Sequence, residues 1–123
     1  GLLLLGELFY EKDYTDKATQ MLKNIEAQIP QYIAGYTNWA MLMLQQVKPF
    51  YEIVIVGKNA HDKRVEFNKH YIPNKLIVGS IKESKLPLLE LKHINGSTMI
   101  YVCYNKSCQK PVEKVNDALQ QLK

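Results

Sequence analysis

Tyr51-Glu52-Ile53-Val54-Ile55-Val56-Gly57 is followed, one helix-length later, by Lys75-Leu76-Ile77-Val78-Gly79. Each is a short apolar run stopped by glycine, the pattern of a strand buried on both faces of a parallel sheet. Between them, Asp62 to Ile72 reads as a helix, weakly periodic through Val65, Phe67, Tyr71 and Ile72 and ended by Pro73-Asn74. Strand, helix, strand over about thirty residues is a βαβ unit, in which both strands run parallel through a right-handed crossover.

Toward the C-terminus a polar linker, Ser80 to Lys85, leads to a segment at Pro87 to Leu91 that fits a helical turn or a short strand equally well. Asn95-Gly96 marks a turn, and Thr98-Met99-Ile100-Tyr101-Val102-Cys103 is the third strand. Pro111 is read as the first turn of a last helix, with Val112, Val115, Leu119 and Leu122 on one face. The expected fold class for residues 49–123 is α/β: a small three-stranded, mostly parallel Rossmann-like sheet with flanking helices. With the first strand central, the helices should leave for opposite faces and open a crevice beside Gly57.

Toward the N-terminus the period changes to three and four. Leu2 to Tyr10 reads as the end of one helix. Tyr14, Ala18, Met21, Leu22, Ile25 and Ile29 form one face of a second, and Tyr36 to Val47 is a third, apolar nearly all round at Trp39-Ala40-Met41-Leu42-Met43-Leu44. Residues 1–48 hold too little apolar surface to stand alone. They are expected to be the last helices of a larger helical domain, in a chain truncated at its N-terminal side, with an uncovered apolar face that drives homodimerisation of the fragment.

Composition narrows the function classes. At 46% hydrophobic and 23% charged the chain is ordinary for a globular protein. Its net charge of +4 comes from scattered lysines, with Arg64 the only arginine, so the forked donors and clustered charge of a nucleic-acid surface are missing. Gly1-Leu2-Leu3-Leu4-Leu5-Gly6 falls short of the roughly 20 residues of a membrane span and lacks the flanks of a signal peptide. Neither nucleic acid nor membrane is expected as a partner, and the expected location is cytoplasmic.

The string Tyr101-Val102-Cys103-Tyr104-Asn105-Lys106-Ser107-Cys108-Gln109-Lys110-Pro111, a Y-V-C-x-N-x-x-C-x-x-P pattern after Asn95-Gly96, resembles the C-terminal signature of the YyaL or spermatogenesis-associated-protein-20-like family. The likeness extends back through Ile53 to Gly57, Tyr71-Ile72-Pro73-Asn74-Lys75 and the Tyr14 to Ile29 helix. The chain departs from that family's pattern at Leu91, where many members have glycine, and at Lys106-Ser107, which replaces an aromatic-Thr pair. The resemblance implies a thioredoxin-domain-containing parent: an N-terminal thioredoxin-like domain, a long α/α-barrel region similar to N-acylglucosamine 2-epimerases and six-hairpin glycosidases, and this C-terminal α/β part. Residues 1–48 would then be the last barrel helices, and the missing thioredoxin-like and helical domains would be this chain's partners.

Cys103 and Cys108 are separated by four residues, not the two of a thioredoxin motif. A turn there would bring them to disulfide distance, but two buried thiols shaping a loop are the favoured reading, with Cys103 inert and Cys108 the more reactive for lying before a helix N-terminus. Zinc would need two further ligands, and His61, His70 and His93 are not spaced to supply them. Gly57-Lys58-Asn59-Ala60-His61 stands where a phosphate loop would, with one glycine instead of three. No nucleophile elbow surrounds Ser80, Ser84, Ser97 or Ser107. No metal or cofactor is therefore expected.

The favoured reading is a non-catalytic accessory domain. A second has strand-end loops line a carbohydrate- or small-molecule-processing site shared with the barrel, with Gly57, Lys58, Asn59, Gly79, Tyr104 and Asn105 along one ligand edge. A third is a thiol redox role through Cys103 and Cys108.

Overall fold

The computed structural model describes residues 1–122, which divide into two compact units, 1–49 and 50–122. In the first, α1 (Leu2–Phe9) and α2 (Lys12–Ile25) pack together, two 3-10 segments follow at Glu26–Gln31 and Ile33–Tyr36, and α3 (Thr37–Val47) closes the unit. Tyr10, in the left-handed region at φ 55°, ends α1, and its amide donates to the Gly6 carbonyl. The α1–α2 contact is close because Gly6 has no side chain: a Cβ there would stand 2.5 Å from Thr15 Cγ2. Pro30 lies inside the first 3-10 segment, where the tighter winding replaces the last turn of the long helix expected as far as Ile29.

The second unit is α/β, built on an open four-stranded mixed sheet in the order β2-β1-β3-β4. Its strands are β1 (Tyr51–Val56), β2 (Lys75–Ser80), β3 (Met99–Tyr104) and β4 (Ser107–Cys108), flanked by α4 (Ala60–Phe67) and α5 (Val115–Gln120). β1 and β2 pair in parallel through α4, from Tyr51 against Lys75 to Val56 against Ser80. The expected three-stranded, mostly parallel sheet is corrected here. β3 runs antiparallel to β1, with Val56 opposite Met99 and Tyr51 opposite Tyr104, and β4 is a fourth strand antiparallel to β3. The physical reason is the connection: a parallel crossover needs a layer-crossing segment, usually a helix, and residues 81–98 form only turns.

Ile53 and Ile55 of β1, Ile100 and Val102 of β3, Ala60 and Phe67 of α4, and Val115 and Ala118 of α5 make one buried core. Residues two apart on a strand share a face, so both helices lie on the same side of the sheet, not on opposite sides as expected. Each large side chain buried there contributes about 1.5–3 kcal/mol. The opposite face carries Glu52, Val54, Tyr101 and Cys103. Part of the β2–β3 connection lies against it: the Tyr101 hydroxyl donates to the Lys92 carbonyl at 2.9 Å, and Lys92 Nζ stands 6.0 Å from the ring centre.

The last helix begins at Val115, not at Pro111. Before it, Gln109 N–H donates to the Val102 carbonyl, and Ile100 and Val112 exchange both backbone hydrogen bonds. Three steps on one side therefore face two on the other, a bulge at Lys110-Pro111 where proline's missing N–H costs no ladder bond. The residues of the first unit form three helices and two 3-10 segments. Among the described residues, no helix is long and apolar enough to cross a membrane.

Candidate functional site

The residues expected along one ligand edge, with the cysteine pair, fall into two groups at opposite ends of the sheet. Gly57, Lys58, Asn59 and Gly79 stand at the carboxyl ends of β1 and β2. Cys103, Tyr104 and Asn105 stand at the other end, since Tyr104 is opposite Tyr51. At about 3.3 Å per residue the ends are about 17 Å apart along β1. The expectation of one ligand edge joining all of them is overturned by the antiparallel β3, which also removes the strand-reversal crevice beside Gly57.

At the first end the chain uses its own glycine and amides. Gly57 has φ 137°, and a Cβ on it would lie 2.5 Å from the Ser97 carbonyl oxygen and 2.6 Å from Thr98 Cα. The backbone approaching Gly57 is thus the run into β3, which must pass over the end of β1 to reach its far side. Asn59 N–H donates to Thr98 Oγ1 at 3.0 Å and Gly57 N–H to the Ser80 carbonyl at 2.9 Å. The amides of Gly57, Asn59 and Ala60, in the stretch read as open to an anion, are satisfied internally. Lys58 and Asn59 are exposed. Beside α4 there is a surface cavity of about 310 Å³, lined among others by Ala60, His61, Arg64 and Gly79.

At the second end β3 and β4 form a hairpin. Asn105 and Lys106 have φ 50° and 63°, and positive φ at both central residues is what a type I′ turn requires. Its twist sets Tyr104 against Ser107 and Cys103 against Cys108. The two cysteines form a disulfide, with S–S 2.03 Å and Cα atoms 3.9 Å apart, closer than the usual window. This corrects the favoured reading of two free thiols. It also removes the helix-dipole argument for Cys108, because α5 starts only at Val115. The two ends of the bond differ: Cys103 is fully buried, whereas Cys108 is exposed on the outermost strand. Tyr51 and Tyr104 pack on the other face of the sheet, ring centres 6.1 Å apart.

One residue of this end went unread in the sequence. Glu52 is 1% exposed, in the middle of the sheet, in register with Cys103 on β3 and Leu76 on β2. Its signal was available: a carboxylate inside a run of apolar strand residues is costly to bury. Of the histidines, His61 and His70 are exposed and His93 is half-buried. Among the described residues, no three His, Cys, Asp or Glu side chains gather where they could hold a metal ion. The Tyr101 hydroxyl is held above the ordinary tyrosine value, by burial first and by the Glu83 carboxylate second.

Compared with family models, with curated proteins and with solved structures, the chain matches none.

Proposed function

We propose that this chain is a non-catalytic accessory module of a larger polypeptide, docked through its helical unit onto further helices of the same protein. The observation that supports it is the state of that unit's apolar side chains. Its buried hydrophobic residues are Ala18, Leu22 and Ile29, while Phe9, Met21, Ile33, Met41 and Val47 are exposed. Helix α3 contributes no buried residue at all, although its run from Trp39 to Leu44 is apolar throughout. A monomer rarely leaves contiguous apolar surface of this kind in water. The resemblance in the Cys103 to Pro111 string makes the covering surface the helical region of a thioredoxin-domain-containing parent, in a cytoplasmic protein. The disulfide weighs mildly against a permanently reducing compartment.

Sedimentation velocity of the chain, with acrylamide quenching of Trp39, tests the reading. Alone, the chain should self-associate as its concentration rises, with Trp39 open to quencher at low concentration. Adding the preceding helical portion of the parent should replace self-association by a one-to-one complex and shield Trp39. A chain that stays monomeric, with Trp39 shielded throughout and no complex formed, would overturn it.

A further inference from the structure

We infer that the Cys103–Cys108 bond is a thiol–disulfide exchange site for a dithiol reductant, in which Cys108 is the sulfur attacked and Glu52 handles the proton of Cys103. The inference stands on geometry independent of the helical unit. Cys108 lies on a two-residue strand at the edge of the sheet and is exposed, so a thiolate can approach it from solvent. Cys103, at 0% exposure on the neighbouring inner strand, cannot be approached that way. Attack at Cys108 makes Cys103 the leaving group.

A thiolate expelled at Cys103 would arise inside the sheet, where an unpaired charge is costly. Glu52 is the directly opposed residue on β1. Directly opposed residues of antiparallel strands project from the same face with Cβ atoms about 4.5–5.5 Å apart. Glu52 and Cys103 are therefore neighbours on one face of the sheet, the carboxylate within a side chain's reach of the position where the charge develops, and Glu52 is 1% exposed. An acid there serves both directions: as a carboxylic acid it gives a proton to the leaving Cys103 sulfur, and as a carboxylate it takes the proton back when Cys103 attacks during reoxidation.

One thiolate of the reductant attacks Cys108 Sγ, forming a mixed disulfide and breaking the Cys103–Cys108 bond; the bonding pair leaves with Cys103 sulfur, which takes the Glu52 proton. The reductant's second thiolate attacks its own sulfur in the mixed disulfide, releasing Cys108 as a thiolate and closing the reductant's disulfide. Protons lost by the two reductant thiols return through solvent to Glu52 and Cys108. In sum a dithiol is oxidised by two electrons and the protein disulfide is reduced to two thiols.

The test uses the intact chain, with dithiothreitol as the dithiol and glutathione as a monothiol that stops at the first step. Peptide mapping after glutathione treatment should place the adduct on Cys108. Reduction of the folded chain by millimolar dithiothreitol, quenched by alkylation, should yield two alkylated cysteines. Glu52→Gln should slow both reduction and reoxidation at least about tenfold, with the final ratio of reduced to oxidised protein against dithiothreitol changed less than about threefold. Glu52→Asp should recover part of the rate, which a purely packing role for Glu52 would not give. A bond that resists dithiothreitol until the chain unfolds, a glutathione adduct on Cys103, or a Glu52→Gln variant as fast as the parent overturns the inference. The adduct position is read on the unsubstituted chain, so it decides even if Glu52→Gln fails to fold.

Discussion

At the scale of single residues, backbone sign explains side-chain choices that composition does not. Leu91 has φ 59° and is 91% exposed, so its side chain buries nothing while its Cβ is held in the left-handed region. Leu91→Gly should therefore raise stability by about 0.5–1 kcal/mol, since relief of the left-handed cost of about 1–2 kcal/mol outweighs the added freedom of the unfolded chain. Urea unfolding followed by circular dichroism measures it. Gly57 is the opposite case. At φ 137°, with the Ser97 carbonyl in the way, Gly57→Ala should cost at least about 1–3 kcal/mol in the same assay.

At the scale of elements, the terminal hairpin and the long connection each carry a feature that one substitution removes. The disulfide closes a loop of sequence separation 5, and chain-entropy arguments give about 2 kcal/mol for so short a loop. Cys108→Ala should cost no more than that, because the turn at Asn105-Lys106 already limits the unfolded hairpin; a midpoint shift in urea at constant slope reads it. The connection over residues 81–98 is held by the Tyr101 hydroxyl on the Lys92 carbonyl. Burial and Glu83 raise the Tyr101 pKa in the folded state, so between the ordinary value near 10 and the raised one the unfolded chain has lost a proton that the folded chain keeps. Fewer protons on the unfolded state means that stability falls as pH rises. The contribution is fully present below pH ~10 and is gone once the pH has passed the folded value. Tyr101→Phe should flatten that alkaline loss while lowering stability near neutrality by about 1 kcal/mol, the worth of one hydrogen bond. Urea midpoints measured from pH 8 upward check both.

At the scale of the whole molecule, apolar surface outside the cores governs behaviour. Met41 and Val47 of α3 are 55% and 70% exposed, so charging them removes little packing. Met41→Lys with Val47→Lys should leave the thermal midpoint within a degree or two, in line with the ±0.5 kcal/mol typical of surface changes. The same pair should abolish self-association in sedimentation velocity. Self-association that survives both lysines would put the contact elsewhere than on α3.

Local sequence by itself determined β1 and β2 and placed a helix between them, because a parallel unit is written contiguously in two apolar runs stopped near Gly57 and Gly79. The helix expected over Asp62 to Ile72 is α4 at Ala60–Phe67, and turns take up the weakly periodic end of that stretch. Local sequence also determined the third strand to within a residue, Thr98–Cys103 against the observed Met99–Tyr104, since β-branched and aromatic runs declare strands whatever their partners. Strand direction was not written locally. Only the tertiary structure decided that β3 returns beside β1 antiparallel, because direction depends on where the connection through residues 81–98 emerges. That emergence turns on Thr98 meeting Asn59 and on Ser97 passing over Gly57, contacts between residues about forty apart. The ligand edge failed for that reason. Glu52 is visible in the sequence as a carboxylate inside an apolar strand, but that it stands opposite Cys103 was decided by pairing, and pairing is a property of the folded sheet, not of the run of residues.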